Sequence, residues 1–120
     1  IGAMEAERLN ALSALLADLT ARDKIYGGIF DFDLKSEKLE QVNGELEDPT
    51  VWDDPKRAQD LGREKKSLEA VVESLTSIHA GLQDASDLVE MAREENDDDT
   101  LVAVEADAHA LQQQVEGLEF

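Results

Sequence analysis

Hydrophobic residues recur three and four positions apart along most of this chain, with polar residues between them. Such spacing places apolar side chains on one face of an α-helix, so the pattern predicts helices and no strands. The first predicted helix covers roughly residues 4–24. The two glycines after Tyr26 are predicted to end it, because glycine favours the left-handed conformation of a helix end. Its apolar stripe consists of Leu9, Leu12, Leu16 and Leu19.

A second helix is predicted to follow Asp31 or Asp33, since aspartate at either position is suited to cap it. Its apolar stripe is shorter and consists of Leu39, Val42 and Leu46. Pro49 cannot continue a helix, and it biases Asp48 toward extended geometry. The second helix is therefore predicted to end at this pair.

A linker over residues 48–54 comes next, and it holds the only tryptophan, Trp52. Asp54 is a good N-cap, and Pro55 falls at the first helical position, where its missing N–H costs nothing. We expect Trp52 to be buried in a core and, with Pro49 and Pro55, to anchor the linker. The alternative is that Trp52 is an exposed hot spot for a binding partner.

The third predicted helix is long, about residues 54–95. One series of apolar residues recurs every seven positions, and a second is offset from it by three, as in a coiled coil. The first series is Leu61, Leu68, Leu75, Leu82 and Val89, and the second is Val71, Ile78, Ala85 and Ala92. The register passes through Gly81 without a slip, so one continuous helix is expected. The alternative is a break at Gly81 with a new cap at Asp84.

An acidic turn over residues 94–99 is predicted to lead into a fourth helix, about residues 99–119. That helix carries Leu101, Val104, Ala108, Leu111, Val115 and Leu118. The third and fourth helices would form an antiparallel hairpin, about 60 Å and about 30 Å long respectively. Because the fourth is too short, the first two helices are expected to cover residues 61–75 of the third. The predicted fold is one all-α domain, an elongated bundle of about four helices.

The chain has 120 residues and a formal net charge of −18. Ten of its eleven cations precede residue 67, so fourteen acids and one cation give the second half a charge of −13. Such a surface repels nucleic-acid phosphates and attracts basic proteins, although acidity also serves solubility alone. The chain has no cysteine, and no apolar run suits a membrane span. A cytoplasmic protein is expected, in which residues 1–3 are a remnant before a natural start at Met4.

Residues that perform chemistry are sparse. Glu105 and His109 lie four apart on the fourth helix, but the Glu-x-x-His pairs of di-metal bundles are missing. His79 and His109 are expected to be surface residues. The run Asp97–Asp99 lacks the spacing and central glycine of a calcium loop. The sequence therefore predicts no catalytic residue, no metal site and no cofactor, and hence a protein that is not an enzyme.

The linker and the helix after it carry a specific motif. It has Pro-x-Val-Trp from Pro49 and Pro-x-x-Ala-Gln-x-Leu from Pro55, followed by Glu64 and Leu68-Glu69. With these residues the chain resembles the N-terminal domain of the bacterial release factor 2 family, within the class I peptide chain release factors. Matching residues lie along nearly the whole chain after Met4, including Leu39-Glu40, Ala70-Val71-Val72, Gly81-Leu82 and Leu118-Glu119-Phe120.

The resemblance implies part of a factor that terminates translation at UGA and UAA codons. In that family a Ser-Pro-Phe tripeptide reads the codon, and a Gly-Gly-Gln loop triggers hydrolysis of peptidyl-tRNA. Neither motif occurs in this sequence, because Ile29 follows Gly27-Gly28 and neither proline follows a serine. The chain is therefore expected to be a domain fragment that carries no catalytic or decoding residue.

The resemblance also implies partners: the stalk base of the large ribosomal subunit with its basic proteins, and the class II release factor, a GTPase. Neither direct nucleic-acid binding nor membrane binding is expected, and the hairpin predicts a monomer. The candidate contact is the acidic turn, with Glu94, Glu95, Asp97, Asp98 and Asp99. The alternative is a free-standing acidic coiled-coil adaptor or chaperone-like protein, which would pair its apolar seam between chains.

Overall fold

A computed structural model describes residues 2–119, apart from the side chains of Ala3 and Met4. Ile1, in the predicted remnant, and Phe120, in the matching C-terminal residues, lie outside this description. Helices make up 93% of the chain. Its elements are α1 (Ala3–Ile29), α2 (Phe32–Glu47), a 3-10 turn (Pro49–Asp53), α3 (Pro55–Glu95) and α4 (Asp98–Leu118). The predicted all-α class with four helices is confirmed.

Contacts between residues group the chain into two compact units. The first, here called the bundle unit, contains Ile1–Tyr26 and Ser77–Phe120, and the second, here called the linker unit, contains Gly27–Thr76. Both α1 and α3 contribute residues to each unit. The expectation of a single domain stays a prediction. None of the described helices is long and apolar enough to cross a membrane.

Three helices form the bundle unit. Arg8 on α1 pairs with Glu105 on α4, and Arg22 on α1 pairs with Glu119 just after α4. Both pairs are 97 residues apart, so α1 and α4 run parallel. The second half of α3 runs antiparallel to α1, because Arg93 contacts Ser13 while His79, earlier on α3, contacts Asp23, later on α1. The core includes Leu9, Leu12, Leu16, Leu19, Ile78, Leu82, Val89, Leu101, Val104, Ala108 and Val115.

The linker unit holds α2 against the first part of α3. The pairs Lys38–Glu64 and Arg57–Glu45 join the two helices, which run antiparallel. Apolar side chains from α2, the 3-10 turn and α3 meet in a small core. Its buried members are Val42, Val51, Ala58, Leu61 and Leu68, with Leu39 and Leu46 partly buried against them.

The predicted partner of α1 was wrong. We expected α1 and α2 together to cover residues 61–75 of α3, but the leucines of α1 pack in the bundle unit. The reason is that α4 and the second half of α3 leave one side of their shared core open. The longer stripe of α1 closes that side, and the shorter stripe of α2 is sufficient for Leu61 and Leu68.

The predicted end of α1 at Tyr26-Gly27-Gly28 was also wrong, because α1 continues to Ile29. Neither glycine has a positive φ, so neither uses the freedom that ends a helix. The helical path is interrupted at Asp31, which has φ 53° and accepts the left-handed conformation that aspartate tolerates better than most residues. Asp31 stands at the N-cap position of α2, but its side chain makes no capping hydrogen bond.

The third helix passes through Gly81 without a break. A Cβ atom at this position would lie 2.6 Å from Cδ2 of Leu111 on α4. Glycine therefore leaves room for the side chain of Leu111 against α3. This packing of Leu111 accounts for a residue that is unfavourable inside a helix at this point of α3.

Candidate interaction surfaces

The acidic turn joins α3 to α4 within the bundle unit. After Glu95 the chain passes through Asn96, which has φ 52°, and α4 begins at Asp98. Asp97 is the N-cap: its carboxylate accepts hydrogen bonds from the backbone N–H of Thr100 at 3.1 Å and from its hydroxyl at 2.7 Å. These bonds, the hydroxyl bond first, lower the pKa of the Asp97 carboxyl. Asp97 therefore has a structural task in addition to its charge.

The other acids of the turn face solvent. Glu94, Glu95, Asp98 and Asp99 are all exposed. The nearest cation along the chain, Arg93, points elsewhere, since it contacts Glu90 at 3.6 Å and Ser13 at 3.1 Å. No acid of the turn forms an ion pair with any residue that the structure describes. The structure thus presents four exposed carboxylates, of which Asp98 lies near enough to Arg8 to help raise the pKa of that guanidinium, beside one carboxylate that holds the turn in shape.

We expect Asp97→Ala to lower the melting temperature at pH 7 by a few degrees, because it removes the cap of α4. The folded pKa of Asp97 is depressed, so its charge contributes stability above the unfolded pKa. That contribution is lost as the pH falls through the folded pKa. The difference in melting temperature between the wild type and Asp97→Ala should therefore become smaller below about pH 4. Circular dichroism melts at pH 7 and at about pH 2.5 measure it. A difference that stays constant across this range would contradict the assigned role of the carboxylate.

Trp52 is not buried in a core, which corrects the expectation from the sequence. Its side chain is 62% exposed, whereas the neighbouring Val51 is only 7% exposed and belongs to the core of the linker unit. In the tight 3-10 turn, adjacent side chains point in different directions, and the smaller one points inward. The indole is nevertheless fixed, because its Nε1–H donates to the carbonyl oxygen of Leu46 at 3.1 Å.

Both ends of the 3-10 turn are capped. Asp48 accepts from the backbone N–H of Thr50 at 3.0 Å, the main reason that the pKa of its carboxyl is lowered. Asp54 accepts from the backbone N–H of Arg57 at 3.2 Å, at the start of α3. The two prolines stand at the first positions of the 3-10 turn and α3, as Pro49 and Pro55. Backbone caps and Val51 thus hold this linker.

The histidines are surface residues. The ring of His79 is 74% exposed, and its Nδ1 lies 3.2 Å from Oδ2 of Asp23. His109 is exposed, and Glu105 binds Arg8 instead of completing a site with it. Within the described part of the chain, no three His, Cys, Asp or Glu side chains are grouped so that they could hold a metal ion.

Comparison with known proteins gives these surfaces a context. Residues 35–120 match the model of the PCRF domain. The chain belongs to the PCRF domain family. The match includes the linker with Trp52, the whole of α3, the acidic turn and α4. The acidic turn and the linker with Trp52 thus both lie on the PCRF domain.

The curated relatives of this PCRF domain are release factors. The chain is 66% identical to peptide chain release factor 2 of Janthinobacterium sp. (strain Marseille). It is 56% identical to the proteins of that name from Burkholderia pseudomallei (strain 1106a) and Bordetella pertussis. In each case the match covers 98% of this chain and 32% of the relative. The chain therefore spans about a third of these relatives' length, and its resemblance to the N-terminal domain of release factor 2 is confirmed.

Proposed function

We propose that this chain is the N-terminal interaction domain of a translation termination factor that acts at UGA and UAA codons. Its identity to release factor 2 of Janthinobacterium, 66% over 117 residues, is the observation that carries the proposal. Codon reading and peptidyl-tRNA hydrolysis then belong to other regions of the factor. The domain itself contributes binding and no catalysis.

The partners proposed for the domain are the basic proteins of the ribosomal stalk base and the class II release factor GTPase. The acidic turn is the proposed contact, with Glu94, Glu95, Asp98 and Asp99 facing the partner and Asp97 holding the turn. Four exposed carboxylates that form no ion pair within the described residues produce a negative field that attracts a basic surface and speeds encounter. The capped turn is a preformed element, so little ordering is needed on binding.

The adaptor alternative is less well supported. An adaptor would pair its α3 seam between chains, but here the seam is already covered within each unit. In the bundle unit, Ile78, Leu82 and Val89 pack with α1 and α4 residues. In the linker unit, Leu61 and Leu68 pack with Val42. A monomer therefore remains the proposed state.

The test removes the charges of the turn and keeps its cap. The variant carries Glu94→Gln, Glu95→Gln, Asp98→Asn and Asp99→Asn. Its matched control removes four exposed acids elsewhere in the bundle unit, with Asp84→Asn, Asp87→Asn, Asp107→Asn and Glu116→Gln. The affinity of the turn variant and of the control for purified stalk-base proteins, and for the class II release factor GTPase, is measured by titration at low salt.

We expect the turn variant to lose about tenfold or more in affinity, and the control to lose less than about threefold. The charge change is the same in both, so the difference reports the position of the acids. Unchanged affinity of the turn variant would overturn the proposed contact. Equal losses of affinity in the two variants would show that net charge, and not the position of the acids in the turn, determines binding.

A further inference from the structure

The first part of α3 carries an outward-facing row of polar and cationic side chains within the linker unit. Lys56, Gln59, Arg63 and Lys66 follow one another at intervals of three and four residues, and all are exposed. At about 100° per residue they occupy an arc of about 80° centred opposite the buried Leu61. We call these four residues the cationic stripe.

The charges of the stripe are available to a partner. Three other cations of the linker unit are paired: Lys38 lies 3.2 Å from Glu64, and Arg57 and Lys65 lie 3.7 and 3.6 Å from Glu45 and Glu69. By contrast, the three cations of the stripe form no ion pair with any residue in the described range 2–119. The fold therefore neutralises the flanking cations and leaves a row of positive charge on the outer face.

Trp52 stands at the N-terminal end of this row. Its indole, 62% exposed, is fixed by the bond to Leu46 and borders a shallow hollow of about 470 Å³. Pro55, Ala58 and Gln59 line the rest of the hollow, so Gln59 belongs both to the hollow and to the stripe. The surface thus combines a fixed flat ring, an adjacent apolar recess and a row of cations.

We propose that Trp52 and the cationic stripe bind a single-stranded or looped segment of RNA. A base stacks on the open face of the indole, and Lys56, Arg63 and Lys66 contact successive phosphates. Arg63 and Lys66 lie about 10 and about 15 Å from Lys56 along the helix axis, a length suited to several nucleotides. An aromatic platform continued by a row of cations is the arrangement by which proteins bind unpaired nucleic acid.

The acidity of the chain sets the strength of this binding. The overall charge of −18 led to the prediction that the domain does not bind nucleic acid. The stripe is a local exception, but Asp53, Asp54 and Asp60 are close to it in the sequence and reduce its attraction for phosphate. Binding by this surface is accordingly weak and sensitive to salt. RNA binding by Trp52 and the cationic stripe goes beyond the proposed function. Because it uses none of the residues of the acidic turn, each proposal can be tested without the other.

Trp52 is itself the probe, because it is the only tryptophan of the chain. The 120-residue chain is titrated with an unstructured RNA of about twelve nucleotides at about 25 mM salt, while indole fluorescence is recorded. We expect saturable quenching, and three phosphate contacts give a slope of log K against log salt of about −2. Polyglutamate of equal charge, a probe for acidic polypeptides, should bind at least about tenfold more weakly.

Two triple variants locate the contact. Lys56→Ala with Arg63→Ala and Lys66→Ala removes the stripe, and Lys38→Ala with Arg57→Ala and Lys65→Ala removes the same charge from its flanks. We expect the first to lose tenfold or more in RNA affinity and the second to lose less than threefold, at unchanged helical content. Arg63→Ala alone is measured if the first triple variant loses helical content, and should lose at least threefold.

Three results would overturn the proposal. The first is absence of quenching at about 25 mM salt. The second is equal loss of RNA affinity in both triple variants, which would indicate only net charge. The third is polyglutamate binding as tight as that of RNA, which would reassign the surface to an acidic protein.

Discussion

Val104→Asp should unfold the bundle unit. Val104 is 0% exposed in the N-terminal half of α4, and its neighbours in the core are aliphatic. A carboxylate there would lose its water without gaining a partner, which costs about 3–5 kcal/mol. Because small domains are stable by only about 5–15 kcal/mol, we expect loss of most helical signal from this unit at modest urea concentration.

The control for this substitution lies two residues earlier. Val102 is 53% exposed on the same helix, so Val102→Asp changes charge and helix propensity equally but buries nothing. Urea titrations followed by circular dichroism should place Val102→Asp within about 0.5 kcal/mol of the wild type. Similar losses for both substitutions would contradict the assignment of Val104 to the core.

Leu19→Ala should reduce the free energy of unfolding by about 2–5 kcal/mol. Leu19 is 0% exposed on α1, and truncation leaves a cavity among the three helices of the bundle unit. Ile25→Ala, on the same helix but at a position 59% exposed, is the control and should cost much less. Urea titration measures both losses.

Amide hydrogen exchange on Leu19→Ala also tests which helices α1 covers. The structure predicts faster exchange in α4 and in the second half of α3, with little change in α2. If α1 covered residues 61–75 instead, exchange would rise in the first half of α3. That outcome would restore the arrangement expected from the sequence and contradict the observed bundle unit.

Local signals along the chain predicted the elements well. The seven-residue series predicted an α3 that continues through Gly81, and Asp54 before Pro55 predicted where α3 begins. Asp97 lies in the acidic run expected to separate α3 from α4, and it caps α4. The caps depend on residues within about one helical turn, and the seven-residue series depends on spacing along a single helix, so both signals are local to one element.

Features that depend on tertiary contacts were predicted less well. The leucine stripe of α1 shows that α1 needs a partner, but the same stripe fits either half of α3. In the 3-10 turn the inward residue is Val51 and not Trp52, and a one-residue difference in a tight turn has no periodic signal. The two glycines after Tyr26 were read as a stop although packing and Asp31 decide where α1 ends.

The two candidate surfaces also differ in how well local sequence signals predict them. The acidic turn was predicted from its residues, because a run of acids between two helices is visible in the sequence. The cationic stripe was not predicted, because the two halves of the chain differ in net charge far more visibly than the faces of one helix do. The spacing of Lys56, Arg63 and Lys66 carries the signal, but only the paired state of the flanking cations shows which charges remain available.

Co-sedimentation with large ribosomal subunits tests most directly whether this chain is a docking domain of a termination factor. The 120-residue chain is incubated at low salt with intact large subunits and with subunits depleted of the stalk-base proteins. We predict retention on intact subunits, at least about tenfold weaker retention on depleted ones, and loss of retention for the turn variant. Equal retention on both kinds of subunit, or retention on neither, would contradict the proposed role.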